Sequence, residues 1–180
     1  EIHSDLTLPG VKHVPLASLS EEAASGTVTC MAPSKTFNLA GLSTSSMIIS
    51  DPGLMEKYRQ TLVGLHMHLG NIFGNVASEA AYTHGREWLS QLMTYVEGNI
   101  DLVMDFCRDR LPQIKPVRPE ATYMIWLDCR AIGMSGAELN RFFVEQARVG
   151  MNEGSRFGPE GEGFMRMNLA CPRAIVKKAL

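Results

Sequence analysis

One stretch of this sequence constrains its fold more than any other. Leu89, Leu92, Met93, Val96, Ile100, Val103, Met104, Cys107 and Leu111 recur three or four residues apart. That rhythm sets them along one face of an α-helix for about six turns. A helix so long must bury its apolar face against other elements, and in a chain of 180 residues it is expected to bridge two subdomains.

On its N-terminal side the sequence reads as short strands and helices. Residues 27–31 (Thr-Val-Thr-Cys-Met) and 46–50 (Ser-Met-Ile-Ile-Ser) are apolar runs flanked by turn residues, the pattern of buried strands. Residues 32–41 between them are too polar for a core strand and too rich in small residues for a stable helix. Asp51-Pro52 supplies an N-cap followed by proline at the first helical position, and Leu54, Met55, Tyr58, Leu62 and Leu65 follow at helical spacing. A second helix of small residues is predicted around Asn75 to Tyr82.

After Pro112 the pattern becomes α+β. Residues 121–128 read as a strand, and Ser135-Gly136-Ala137-Glu138 is a capping box for a helix running to about Val149. A glycine-rich loop over 153–163 leads into a strand over 164–169, and Cys171-Pro172-Arg173 opens a last helix.

The net charge of −2 leaves no basic excess to neutralise a phosphate backbone, so nucleic acid is not an expected partner. No apolar run approaches the roughly 18 residues that a membrane helix needs, so no membrane partner is expected either. Cys30, Cys107, Cys129 and Cys171 form no CxxC pair, and reduced, buried thiols in a cytoplasmic protein are expected. The chain starts at Glu1 without methionine, and Arg173 to Leu180 reads as a helix still apolar on one face. Both ends are therefore expected to continue into a longer protein.

Lys35 is the first candidate for chemistry. It sits between Ser34 and Thr36, after a strand and inside a turn punctuated by proline and glycine. Ligands of open α/β sheets bind at such strand ends, and an amine in a partly desolvated pocket loses its proton readily and can form an imine. A single loop lysine is, by itself, more often a solvated surface charge.

The string Ser34-Lys35-Thr36-Phe37-Asn38-Leu39-Ala40-Gly41-Leu42 resembles the cofactor-lysine segment of fold-type I pyridoxal-phosphate enzymes. Within the class I/II aminotransferase superfamily it is similar to the cystathionine β-lyase, or C–S β-lyase, branch. Glu1-Ile2-His3 resembles a strand end of that family, and residues 119–128 resemble its first small-domain strand. Phe157-Gly158, Gly161, Gly163-Phe164, Arg166, Asn168 and Cys171-Pro172-Arg173 resemble its C-terminal signature in order and spacing.

The resemblance implies an α/β fold. Residues 1–95 would be the second half of a large pyridoxal-phosphate-binding domain, and 96–180 a bridging helix and a smaller α+β domain. It implies pyridoxal 5′-phosphate as cofactor, an amino acid as substrate and a homodimer in the full-length protein, with the segment from Asn71 to Tyr82 as part of the contact. Lys35 would hold the cofactor as a Schiff base and move the α-proton of the substrate. His3 would lie near the cofactor's phenolic oxygen, where a histidine that merely ends a strand is the competing reading. Ser34 would help to bind the cofactor, and Arg166 would take the substrate α-carboxylate, because a planar guanidinium meets a carboxylate bidentately.

Two departures bear on the activity. Ala32 stands where many relatives have a phosphate-binding hydroxyl, and Ser43 stands where aminotransferases often have an arginine. The second favours α,β-elimination from cystathionine or cysteine over amino transfer, the nearest alternative. A non-catalytic binding or regulatory module on the same scaffold is the alternative of another class. The family's pyridine-facing aspartate, phosphate-binding glycine turn and ring-stacking aromatic match no residue here, so these 180 residues alone are expected to bind cofactor weakly and turn over little.

Other features read as structural. His66 and His68 point to different helix faces, which disfavours joint metal ligation. Glu160 and Glu162 in the glycine-rich loop would repel a phosphate, and the methionines read as core filler.

Overall fold

In a computed structural model describing residues 1–67 and 70–180, the chain is a mixture of helices and strands. Its elements are α1 (Glu21–Ser25), β1 (Val28–Met31), α2 (Pro33–Thr36), β2 (Ser46–Ile49), α3 (Pro52–Gly64), α4 (Ile72–His84) and α5 (Arg86–Arg110), followed by β3 (Lys115–Val117), β4 (Met124–Asp128), α6 (Gly136–Arg141), β5 (Asn152–Glu153), β6 (Phe164–Asn168) and α7 (Arg173–Ala179). Two compact units result, Glu1–Leu92 and Met93–Leu180, with the division inside α5.

In the first unit, β1 and β2 form a two-stranded antiparallel ladder in which Val28 faces Ile49 and Thr29 faces Ile48. The expectation that both strands are buried is corrected. Thr29 and Ile49 are buried, whereas Val28 and Cys30 are exposed and Ile48 is 55% exposed. The reason is topological, since a pair has only edge strands and each keeps one side open. α3 starts as read, with Asp51 Oδ1 accepting from Leu54 N at 2.7 Å and Pro52 inside the first turn. α4 begins four turns' worth of small and aromatic side chains with its own cap, Asn71 Oδ1 accepting from Gly74 N at 3.3 Å.

The second unit holds a four-stranded antiparallel sheet in the order β3-β4-β6-β5. Alternation along the strands sorts its two faces. Ile125, Leu127, Met165 and Met167 are buried, as are Met93, Val96, Ile100, Val103 and Cys107 on α5. Helix and sheet share a cavity of about 200 Å³ lined by Val103, Cys107, Leu127, Phe143 and Met167 among others. The capping box at Ser135 and Glu138 is present. The helix it opens stops at Arg141, however, and continues as a wider π-turn over Phe142–Ala147, where a single α-helix to Val149 was predicted. The turn ends at Arg148 in the left-handed region, with φ of 57°.

One polar group interrupts the buried stripe of α5. Asn99 is fully buried. Its Nδ2 donates to the carbonyls of Leu169 (3.0 Å) and Cys171 (3.1 Å), while Oδ1 accepts from Arg173 Nε at 3.0 Å. The Tyr95 hydroxyl accepts from Arg173 N at 2.6 Å, and the Arg173 guanidinium lies over the Tyr95 ring at 4.8 Å. Gly98 makes this possible, because a β-carbon there would run into the Arg173 guanidinium.

Asn99→Ala strands two carbonyls and an arginine N–H in a buried place, where each unmade bond costs roughly 1–3 kcal/mol. Urea unfolding is expected to show a loss of about 3 kcal/mol; a loss below about 0.5 kcal/mol would mean that solvent replaces those bonds.

Candidate functional site

The candidate residues of the first unit gather around one turn. Lys35 lies in α2, a single helical turn that corrects the expectation of irregular chain over 32–41. The turn forms because Pro33 at its first position has φ preset for helix, Phe37 N closes it on Pro33 O at 2.8 Å, and Asn38 ends it at φ 56°. Thr36 points inward, fully buried, and its Oγ1 donates to Asp5 Oδ2 at 3.1 Å. The Phe37 ring meets Tyr82 edge-on at 5.5 Å and Trp88 at 5.8 Å. Gly85, between α4 and α5, leaves the space this ring occupies.

Held on both sides, the turn presents Lys35 outward. The side chain is exposed and makes no hydrogen bond or ion pair among the described residues. Ser34 is half-buried beside it. His3 is half-buried in the segment that the Asp5–Thr36 bond ties to the turn, and its carbonyl accepts from Leu6 N at 3.0 Å. Burial first, and the charge of Asp5 second, raise the Tyr82 hydroxyl above the usual tyrosine range. Ser43 adopts φ 47° in the loop to which α4 is tied by Asn71 Nδ2 donating to Leu42 O at 2.7 Å.

Arg166 belongs to the second unit and sits on the sheet face opposite the core. Its cross-strand partners are Trp126 on β4 and Asn152 on β5. Nη2 donates to Asn152 Oδ1 at 3.0 Å, the guanidinium lies 4.3 Å from the centre of the Phe157 ring, and Nε is enclosed without a partner. Trp126 packs against Phe157 (5.8 Å) and stacks on Phe164 (5.4 Å), and Arg130 covers Phe164 at 4.8 Å. The two arginines at the ends of this row differ. Arg130 is bound by the Asp128 carboxylate through Nε at 2.9 Å and Nη2 at 2.7 Å, whereas Arg166 makes no ion pair among the described residues. Arg166 thus keeps guanidinium donors that no carboxylate of the described residues takes up.

Sequence reasoning missed Asp5, Thr36, Asn152 and Trp126, because each acts through a partner distant in the chain. The thiols also correct the expectation in part. All four are free, but only Cys107 and Cys129 are buried, Cys30 is exposed and Cys171 is intermediate. Burial pushes Cys129 up to about 12, with Asp128 and Cys107 adding to it, and burial raises Cys107 as well. Neither buried thiol is a nucleophile in that state. His68 lies outside the described residues, and among these no group of three or more His, Cys, Asp or Glu side chains could hold a metal ion.

No family model matches the sequence. Cystathionine beta-lyase PatB of Bacillus subtilis is 45% identical over 180 residues, covering 100% of this chain and 46% of the relative. Protein MalY of Escherichia coli is 29% identical over 181 residues, with 100% and 46% covered. A PLP-bound putative aminotransferase structure from Clostridium difficile matches with a TM-score of 0.96 at 40% identity, over 99% of this chain and 46% of that one. Cystalysin from Treponema denticola, whose structure contains a pyridoxal 5′-phosphate cofactor, matches with a TM-score of 0.95 at 35% identity, over 99% and 45%. The chain thus spans about half the length of the curated relatives it matches.

The Asp128–Arg130 pair carries a pH signature. The arginine's hydrogen bonds hold the Asp128 carboxyl at about 2, below its ordinary 3.8. A depressed carboxyl contributes stability above the ordinary value and loses it as pH falls through the folded one. The pair is partly exposed, so Asp128→Asn is expected to cost about 0.5 kcal/mol at neutral pH. In thermal unfolding that difference should shrink between about pH 4 and pH 2 and vanish below; a constant difference across pH would contradict the assignment.

Proposed function

We propose, from its similarity to cystathionine beta-lyases and to PLP-bound structures, that this chain is part of a fold-type I pyridoxal-phosphate enzyme of the cystathionine β-lyase branch and that its full-length protein is a C–S β-lyase. It would act on cystathionine- or cysteine-type amino acids by α,β-elimination with pyridoxal 5′-phosphate as cofactor. The observation that carries this reading is the unengaged amine of Lys35, presented by a turn that Thr36 anchors on Asp5 and Phe37 on Tyr82 and Trp88.

The residues present fit the cofactor and its substrate. An exposed primary amine on an ordered turn suits covalent attachment of a pyridoxal aldehyde, and the Arg166 guanidinium, held by Asn152 and Phe157 but by no carboxylate, suits a substrate carboxylate. Lys35 would hold the cofactor through Nζ, with His3 and Ser34 as further contacts from this chain. When bound, the cofactor supplies an electron sink for the charge left at the substrate α-carbon. Lys35 Nζ, once exchanged for the substrate amine, would take the α-proton as general base and later yield it as general acid to the expelled sulfur. Arg166 would bind and orient the α-carboxylate, fixing which substituents face Nζ. With the α-proton gone, the electron pair forms a carbon–carbon double bond, the C–S bond breaks, and the sulfur leaves as a thiolate. Hydrolysis of the remainder gives pyruvate and ammonia.

Amino transfer is the second reading, favoured by the similarity to the Clostridium difficile aminotransferase structure. It uses Lys35 and Arg166 alike but requires a 2-oxo acid acceptor. The protein would act as a homodimer, which the exposed Ile72 (75%), Phe73 (79%) and Val76 (62%) on the first turns of α4 support as an apolar patch for a second copy. A cytoplasmic setting suits its free thiols, and among the described residues no helix is long and apolar enough to cross a membrane.

The full-length protein with pyridoxal phosphate is expected to release pyruvate from cystathionine without any 2-oxo acid, and to lose at least ~10³-fold in rate, together with its band near ~420 nm, in Lys35→Ala. Strict dependence on a 2-oxo acid would replace the lyase by the aminotransferase. Unchanged activity in Lys35→Ala would overturn the cofactor reading. In light scattering the full-length protein should have twice its chain mass, and Phe73→Asp should shift it toward monomer; a monomer in both cases would remove the dimer.

A further inference from the structure

We infer that Asn152 and Phe157 are positioning residues for the carboxylate-binding arginine, setting the direction from which Arg166 accepts its ligand. The inference rests on the reading of Arg166 as the α-carboxylate site. A guanidinium has five N–H donors in one plane and two open faces. Here Nη2 spends one donor on Asn152 Oδ1 at 3.0 Å, and one face is covered by the Phe157 ring at 4.3 Å. Nε is enclosed with no partner. The donors left for a carboxylate are therefore those of Nη1 and the Nη2 proton that Asn152 does not take.

The clamp is built from neutral groups, and that matters for its function. Asn152 holds the guanidinium without neutralising it, unlike Asp128, which binds Arg130 bidentately on the same sheet face. The amide carbonyl lies directly across the strand pair from Arg166, so the register of β5 on β6 sets their separation. Phe157 is held in turn by Trp126, which faces Arg166 from the other side in the register of β4. Strand pairing and ring packing together fix one arginine rotamer, which would otherwise lose entropy on binding.

The test uses the full-length protein and calorimetric titration with L-alanine, which carries a carboxylate but no leaving group, and with L-alaninamide, which lacks the carboxylate. Asn152→Ala is expected to raise the Kd for alanine about 10-fold, the scale of one lost hydrogen bond to a charged group, and to leave that for alaninamide within about 2-fold. Asn152→Asp should weaken alanine more than Asn152→Ala does, because a carboxylate beside Nη2 competes with the ligand. Phe157→Leu, which keeps bulk but removes the ring face, should resemble Asn152→Ala. In turnover, these variants should raise KM more than they lower kcat. Equal weakening of both ligands, or Asn152→Asp binding alanine as tightly as wild type, would overturn the clamp. If Arg166→Lys also leaves the preference for alanine over alaninamide intact, the fault lies in the reading of Arg166 itself. If Arg166→Lys abolishes that preference while the Asn152 variants keep it, only the clamp falls.

Discussion

The side-chain amide of Asn99 is the constraint on which the second unit depends. It is a polar group at the centre of an apolar helix face, and such a group is tolerated only when its hydrogen bonds are made. Its two donors reach the carbonyls of Leu169 and Cys171, and its acceptor reaches Arg173. Those three residues are the exit from β6 and the entry to α7. One amide thus sets where β6 ends, and with it the placement of the strand that carries Arg166. An apolar side chain could fill the same volume but could not specify the path of the backbone beside it.

The first unit solves the corresponding problem with fewer buried groups. α3 has no buried residue and α4 buries only Gly74. The Lys35 turn is fixed locally, by a threonine bonded to Asp5 and a phenylalanine clasped by Tyr82 and Trp88. The two anchors directly follow Lys35 and leave its own side chain unrestrained by contacts, which suits the attachment and proton-transfer role proposed for it. Arg166 is treated in the opposite way, with one face and one donor engaged, as suits the carboxylate-binding role proposed for it.

What the sequence made legible was local. The long apolar stripe, the Asp51-Pro52 start and the Ser135–Glu138 box depend on residues within a few positions, and each is present, though the stripe's last member, Leu111, lies just past the helix end and is exposed. Lys35 and Arg166 came from the resemblance of their strings, since neither spacing nor periodicity singles them out. β3 was missed because it is three residues long and carries Pro116, which only an edge strand accommodates. The π-turn at Phe142 was hidden because its residues continue a helical pattern. Asp5 and Thr36 are 31 residues apart, and nothing in either neighbourhood announces the other. Asn99 left a trace: it falls between Val96 and Val103 on the buried face, where a polar residue signals a specific partner.

The central claim is that Lys35, and not another amine, carries the cofactor. The most direct measurement is to load the full-length protein with pyridoxal phosphate, reduce it with borohydride, digest it and map the modified peptide by mass spectrometry. The account predicts a single stoichiometric pyridoxyl adduct on Lys35. An adduct spread over several surface lysines, or placed stoichiometrically elsewhere, would contradict it.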